Sequence, residues 1–83
     1  MTDKKEIEKN LTAEIAAILA LDESEVTPHT TLESLGIDSI RLVEVLIFIE
    51  KEYGIRLMDA GLDKDSLRDA ASLAASVAKA IER

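Results

Sequence analysis

The chain has no cysteine and no tryptophan, and its aromatic side chains are limited to Phe48 and Tyr53. Without cysteine, disulfides, thiolate nucleophiles and cysteine zinc sites are excluded, and a reducing compartment is favoured. Because aromatic rings are so scarce, a hydrophobic core must be built from aliphatic side chains. Hydrophobic residues still make up 47% of the 83 residues and charged residues 33%, a balance that is typical of a folded globular chain.

Long apolar runs are also missing. The longest one, residues 15–21, has seven residues, whereas a membrane-spanning helix needs about 20. The N-terminal residues lack the apolar region of a secretory signal. We therefore expect a cytoplasmic protein.

Basic charge is in short supply. Ten lysines and arginines stand against 17 acidic residues, which gives a formal net charge of −7. This balance argues against nucleic acid or an anionic membrane as the main partner and favours a basic protein surface. We expect residues 1–83 to form one small domain without room for a deep substrate pocket. Any chemistry that it serves is then carried out by other proteins.

Apolar residues recur at helical spacing near both ends of the chain. Residues 3–21 predict helix one, and Asp3 with Glu6 forms a variant of the capping-box signal at its start. Ser66 with Asp69 predicts a second cap, followed by an alanine-rich last helix. The apolar positions of this last helix are Leu67, Ala70, Leu73, Ala74, Val77 and Ile81.

Residues 22–37 have no clear period and contain Pro28 and His29, so they predict a loop. Its sixteen residues are many for so small a domain, and loops of this length are generally either functional or disordered. Val26, Leu32, Leu35 and Ile37 predict that it is pinned to the core. We expect one turn of helix from Thr31 and a short helix near residues 58–62.

Helix two is predicted over Ser39–Tyr53, with Asp38 as its N-cap and Gly54 as its C-terminal stop. At 100° per residue, its apolar side chains form two stripes on different sides. One stripe is Leu42, Leu46, Ile49 and Tyr53; the other is Ile40, Val43 and Ile47, flanked by Glu44 and Phe48. The second stripe is either a partner-binding surface or part of a helix that is buried on most sides. Periodicity alone favours the buried helix.

Ser39 places a hydroxyl at the N-terminus of helix two. Taken alone, Asp38-Ser39 is explained as an ordinary helix cap. The free backbone N–H groups and the dipole at this end of a helix would also stabilise a phosphate diester. Ser39 is therefore a candidate for phosphorylation or for attachment of a bulkier phosphodiester.

The remaining polar residues do not predict a catalytic or metal site. The aspartates near the last helix lack the central glycine and terminal glutamate of an EF-hand loop, so we interpret them as a solvated surface and a helix cap. They are Asp59, Asp63, Asp65 and Asp69. His29 has no serine-and-acid constellation or ligand cluster nearby in the sequence, which is typical of a loop histidine without a special role.

The middle of the chain resembles the acyl carrier protein family. The residues that carry the resemblance are Leu35-Gly36-Ile37-Asp38-Ser39-Ile40, then Val43-Glu44-Val45 and Glu50-Lys51-Glu52-Tyr53-Gly54-Ile55. The resemblance extends over almost the whole chain, to about Ile81. It implies an all-α four-helix carrier bundle, with three main helices, a short third helix and a long loop between helices one and two.

This resemblance also implies a covalent cofactor, 4′-phosphopantetheine, joined through its phosphate to Ser39. The thiol of the cofactor would hold an acyl or aminoacyl group as a thioester. The protein would then be a non-catalytic, monomeric carrier of fatty acid, polyketide or related biosynthesis. Asp38 would assist the phosphopantetheinyl transferase that installs the arm.

Other enzymes would bind helix two, namely acyl-loading and acyl-processing enzymes with basic docking surfaces. The implied partner-binding residues are Ile40, Val43, Glu44, Ile47 and Phe48. Carriers of bacterial fatty acid synthesis tend to have acids where this chain has Arg41 and Lys51, and leucine is commoner than Ile40. These departures indicate a specialised carrier, which we expect to be free-standing.

Two functions of other classes remain open on the sequence. An unmodified helical module would bind a basic amphipathic partner through Ile40, Val43 and Ile47. A degraded calcium sensor is the third hypothesis, and the missing EF-hand pattern argues against it.

Overall fold

The computed structural model describes residues 3–57 and 65–81, and the regular secondary structure of these residues is helical. Three α-helices are formed, α1 (Lys4–Leu19), α2 (Ser39–Tyr53) and α3 (Ala70–Ile81), with short 3₁₀ turns at Glu23–Glu25 and Asp65–Leu67. Within these two ranges there is no β-strand, and the all-α prediction is confirmed. The short helix expected near residues 58–62 lies outside the described residues. No helix in the described part of the chain is long and apolar enough to cross a membrane.

Helix α1 starts where the capping signal predicts and ends two residues early. The Asp3 side chain accepts a hydrogen bond from the Glu6 backbone N–H at 2.8 Å. At the other end Ala20 adopts the left-handed conformation, with φ 56°, and the Leu21 N–H donates to the Ala16 carbonyl at 2.8 Å. A backbone hydrogen bond between residues five positions apart, after a left-handed residue, is characteristic of the Schellman motif that ends a helix. Leu21 therefore lies beyond the helix.

The core is aliphatic, as the shortage of aromatic residues predicts. Helices α1 and α3 pack against each other, and α2 lies against both. The largest fully buried side chains are Ile7, Leu11, Ile15, Val45, Ile49, Leu73 and Val77. On α1 they recur every four residues, which places them on one face of the helix. Phe48 and Tyr53 are partly buried at the edge of this cluster.

The loop of residues 22–37 is attached to the start of α3. The Leu32 N–H donates to the Arg68 carbonyl and the Ala71 N–H to the Pro28 carbonyl, both at 2.9 Å. Val26 and Leu32 are buried, and Leu35 and Ile37 pack against the core, as predicted. The loop is thus ordered by backbone hydrogen bonds as well as by apolar contact.

The loop begins with a small capping structure of its own. The Asp22 side chain accepts from the Ser24 N–H, and the Glu25 carboxylate accepts from the Asp22 N–H. The Ser24 N–H and hydroxyl lower the pKa of Asp22 below its ordinary value. This reciprocal pair forms a capping box and fixes the exit of the chain from α1.

Helix α3 begins at Ala70, so the start predicted at Ser66 is wrong. Asp69 acts as the cap: its Oδ1 accepts from the Ser72 N–H at 2.8 Å. The Arg68 carbonyl is bonded to the loop, and Thr31 and Asp69 form an isolated antiparallel bridge. Because the backbone at residues 68 and 69 pairs with the loop, the regular helix starts only after it.

Asp69 is only 4% exposed, although it is charged. Burial raises its pKa, but hydrogen bonds from Ser72 and the nearby Arg68 guanidinium outweigh this effect, and the pKa lies below the ordinary value of 3.8. The Arg68 Nε atom lies 3.5 Å from Asp69 Oδ2. Since the folded-state pKa is lowered, the ionised form stabilises the fold.

We predict that this stabilisation depends on pH. Asp69→Asn keeps an acceptor for the Ser72 N–H and removes the charge. The wild type should exceed the variant in unfolding free energy above about pH 4, the unfolded pKa of an aspartate, and the difference should disappear as pH falls through the lowered folded pKa. Urea unfolding followed by circular dichroism between pH 7 and pH 3 measures this.

Asp69→Ala serves as the control, because it also removes the cap. It should lose about 1 kcal/mol more than Asp69→Asn and keep a deficit at every pH. A wild-type advantage over Asp69→Asn that is the same at pH 7 and pH 3 would contradict the charge effect.

Candidate functional site

The N-terminus of α2 is built by Asp38. Its backbone is extended, with φ −95° and ψ −176°, and its Oδ1 accepts from the Arg41 N–H at 2.9 Å. The Leu42 N–H donates to the Asp38 carbonyl, also at 2.9 Å. The predicted N-cap and the predicted first helical residue, Ser39, are thus confirmed.

A tight turn leads the chain into this cap. The Gly36 N–H donates to the Glu33 carbonyl at 3.0 Å, and Gly36 has φ +80°, a conformation that glycine adopts without strain. The turn expected from Thr31 is present as well: the Ser34 N–H donates to Thr31 Oγ1, and the Ser34 hydroxyl to the Thr31 carbonyl. These two turns direct the loop to Ser39.

Ser39 is exposed at the positive end of a helix of 15 residues. An α-helix leaves its first four N–H groups without partners in the helix. Here Asp38 accepts from those of Arg41 and Leu42, and no hydrogen bond in residues 3–57 and 65–81 uses those of Ser39 and Ile40. An exposed hydroxyl beside two free N–H groups fits a phosphodiester, which accepts hydrogen bonds and carries a negative charge.

One side of α2 is an exposed apolar face, which we define as Ile40, Val43 and Ile47. Their exposed fractions are 71%, 51% and 45%, whereas Val45 and Ile49 on the other side are fully buried. Of the two interpretations of this helix, the one that buries it on most sides is therefore wrong. Of the predicted core stripe, Ile49 is buried and Leu42, Leu46 and Tyr53 are partly buried.

Glu44 and Phe48 lie at the border of the exposed apolar face. Glu44 is half-exposed, and Arg41 Nη1 lies 3.4 Å from both of its carboxylate oxygens. Phe48 is partly buried and packs against the core cluster. The centre of the face is therefore formed by the three aliphatic residues.

The sequence reasoning missed two features that join distant parts of the chain, a hydrogen bond and a cleft. Asn10 Nδ2 donates to the Tyr53 hydroxyl at 3.0 Å and ties the end of α2 to α1. Thr31, Glu33, Asp65, Leu67 and Arg68 line an open cleft between the loop and the start of α3. Neither residue set has a local sequence signal, because each combines residues more than thirty positions apart in the chain.

The other candidate residues are not brought together. His29 is exposed in the loop, and Asp65 is exposed before α3. In the described ranges no three histidine, aspartate or glutamate side chains could hold a metal ion. Asp59 and Asp63 lie outside those ranges.

The exposed and buried sides of α2 predict opposite responses to substitution. Ile47→Glu should leave the far-ultraviolet circular dichroism spectrum intact and change the unfolding free energy by about 0.5 kcal/mol or less, because Ile47 is a surface residue. Ile49→Val removes only one methylene, but should cost about 1 kcal/mol because Ile49 is fully buried. Urea unfolding compares the two, and a larger loss in Ile47→Glu would place Ile47 in the core.

Comparison with known proteins identifies the family. The family described as "Phosphopantetheine attachment site" matches residues 9–77. The acyl carrier protein of Thermotoga maritima is 37% identical over 67 residues, which cover 80% of this chain and 83% of the relative. That of Rubrobacter xylanophilus is 36% identical over 63 residues, 75% of this chain and 78% of the relative.

A further relative is the polyketide-8 synthase acyl carrier protein 2 of Streptomyces avermitilis, 43% identical over 49 residues, which cover 58% of this chain and 56% of the relative. Comparison with solved structures gave no significant match. The family match spans most of the chain, and two relatives align over most of both sequences. The chain thus belongs to the acyl carrier protein family, whose members are non-catalytic carriers with a covalently attached 4′-phosphopantetheine.

Proposed function

We propose that Ser39 is the attachment point of the 4′-phosphopantetheine arm, and that the protein presents an acyl or aminoacyl group to biosynthetic enzymes. The observation that carries this proposal is the exposed Ser39 hydroxyl beside two free N–H groups at the start of α2. When bound, the arm supplies the thiol that holds the acyl group as a thioester. Every protein group that acts on that thioester belongs to a partner enzyme.

Ser39 becomes modified through its hydroxyl oxygen. The oxygen forms a bond to the phosphorus of coenzyme A that bears the pantetheine, and the phosphoanhydride bond to adenosine 3′,5′-bisphosphate breaks. That nucleotide leaves with the electron pair of the broken bond, and the serine proton is released. The two N–H groups and the helix dipole then stabilise the negative charge that remains on the diester.

Asp38 has two roles in this proposal. Its Oδ1 holds the helix cap through the Arg41 N–H. Its Oδ2 accepts no hydrogen bond from the described residues and so remains accessible to the phosphopantetheinyl transferase. A carboxylate next to the reacting hydroxyl can bind a cationic group of that enzyme or accept a proton.

The partner-binding surface of this proposal is the exposed apolar face with Glu44 and Phe48 at its border. Apolar patches that remain exposed on a small protein mark sites of association. The partners are the transferase and the acyl-loading and acyl-processing enzymes of fatty acid, polyketide or related biosynthesis. The net charge of −7 favours enzymes with basic docking surfaces.

The attachment point is tested by intact mass after incubation with coenzyme A and a broad-specificity phosphopantetheinyl transferase. The wild type should gain the mass of one phosphopantetheine, and Ser39→Ala should gain none. Ser34→Ala is the matched control, because Ser34 is another exposed serine, five residues earlier. It should be modified like the wild type.

Two results would contradict the proposal. One is a wild type that gains no mass, which would favour the unmodified interaction module. The other is a Ser39→Ala variant that gains mass as readily as the wild type.

The role of Asp38 is tested by two substitutions with different effects on the cap. Asparagine caps a helix about as well as aspartate, so Asp38→Asn should keep the unfolding free energy, while Asp38→Ala should lose about 1 kcal/mol. Both should lower the kcat/KM of the transferase about tenfold or more, because both remove the carboxylate. Urea unfolding and initial rates measure the two effects, and wild-type rates in Asp38→Asn would limit Asp38 to capping.

A further inference from the structure

Lys51 lies on the same side of α2 as the exposed apolar face, one turn beyond it. At 100° per residue it is about 20° from Ile40 and about 40° from Ile47 around the helix axis, and about 6 Å beyond Ile47 along it. The side chain of Lys51 is exposed, and no carboxylate of the described residues lies within ion-pair distance of its ammonium group. Its charge is thus uncompensated within the described part of the protein.

Two acids of α2 differ in this respect. Glu44 has Arg41 at 3.4 Å, and Glu50 has Arg56 at 3.7 Å. Residues 39–57 contain three acids and three bases, whereas residues 22–38 contain five acids and no lysine or arginine. The acidity that attracts a basic enzyme is therefore mainly in the loop, and α2 itself, with three acids and two bases, has a net charge of only −1.

An enzyme that covers the exposed apolar face must also cover Lys51. A standard interface buries about 800 Å² on each partner, which extends well beyond one turn of helix. An ammonium group that is removed from water without a counter-charge loses much of its solvation free energy. A carboxylate on the enzyme would compensate this loss and also fix the register of docking.

We propose that the enzyme surface that binds α2 carries a carboxylate opposite Lys51, within a docking surface that is otherwise apolar and basic. This inference rests on the proposed function, since it assigns the chemistry of the enzymes that act on the carrier. It distinguishes these enzymes from enzymes whose surface is basic along the whole length of its contact with α2.

Lys79 provides a matched control. Both lysines are exposed and lie in the last helical turn, Lys51 in α2 and Lys79 in α3, so both interact favourably with a helix dipole. Only Lys51 borders the exposed apolar face. A charge reversal at Lys79 therefore reproduces the loss of the dipole interaction and the change in net charge.

The probes are two synthetic amphipathic helical peptides that share one leucine stripe. Lysines flank the stripe in both peptides, except that one of them, the glutamate peptide, has a glutamate in the turn that would face Lys51; the other is the lysine peptide. Each is titrated into the ¹⁵N-labelled protein at about 0.15 M ionic strength, where charges more than about 8 Å apart are largely screened. Amide chemical shifts give the affinity and the binding surface.

The glutamate peptide should bind the wild type about two- to fivefold more tightly than the lysine peptide, the range of an exposed charge pair. The shifted amides should be those of Ile40, Val43, Ile47 and Lys51. Lys51→Glu should reverse the preference, Lys51→Gln should abolish it, and Lys79→Glu should retain it. Circular dichroism checks that each variant is folded. If Lys51→Glu does not fold, the loss of preference in Lys51→Gln is the test of the inference.

Tighter binding of the lysine peptide to the wild type would overturn the inference, as would an unchanged preference in the Lys51 variants or binding of neither peptide. The proposed function is tested independently by the mass gain at Ser39. A wild type that takes up the arm but fails the peptide test would overturn only the assignment of a carboxylate opposite Lys51.

Discussion

The attachment of the long loop to the start of α3 determines where Ser39 lies. Two backbone hydrogen bonds hold the loop next to the bridge between Thr31 and Asp69. The Leu32 N–H donates to the Arg68 carbonyl and the Ala71 N–H to the Pro28 carbonyl, each at 2.9 Å. Since Asp69 also caps α3, one buried carboxylate stabilises both the helix and the surface on which the loop rests. The chain therefore enters α2 from an ordered segment, and the candidate attachment serine has a defined position.

Helix α2 has two apolar sides, and the described part of the protein covers only one of them. Val45 and Ile49 complete a core that α1 and α3 already form, while Ile40, Val43 and Ile47 are directed to solvent. A domain of this size buries a limited share of its surface, so an additional apolar stripe has no place inside it. Exposure of this stripe one residue after Ser39 places the candidate docking surface beside the candidate attachment point.

Local chemistry was sufficient to predict some parts of the structure and not others. The caps at Asp3 and Asp38 and the end of α2 at Gly54 were predicted, because a cap depends on residues three or four positions apart. The left-handed Ala20, the late start of α3 and the contact of Asn10 with Tyr53 were missed, because they depend on backbone closure or on distant residues. Cap chemistry alone did not distinguish Ser39 from an ordinary capping serine; the prediction that it carries the cofactor came from the family resemblance.

The position of the modification is the central claim, and tandem mass spectrometry of the modified wild type tests it most directly. Trypsin releases residues 10–41 as one peptide, which contains Ser24, Ser34 and Ser39 together with four threonines. Fragment ions between these hydroxyl residues assign the added phosphopantetheine to one of them. The structure predicts that all of it is on Ser39, and its assignment to Ser34 or any other residue would contradict the account.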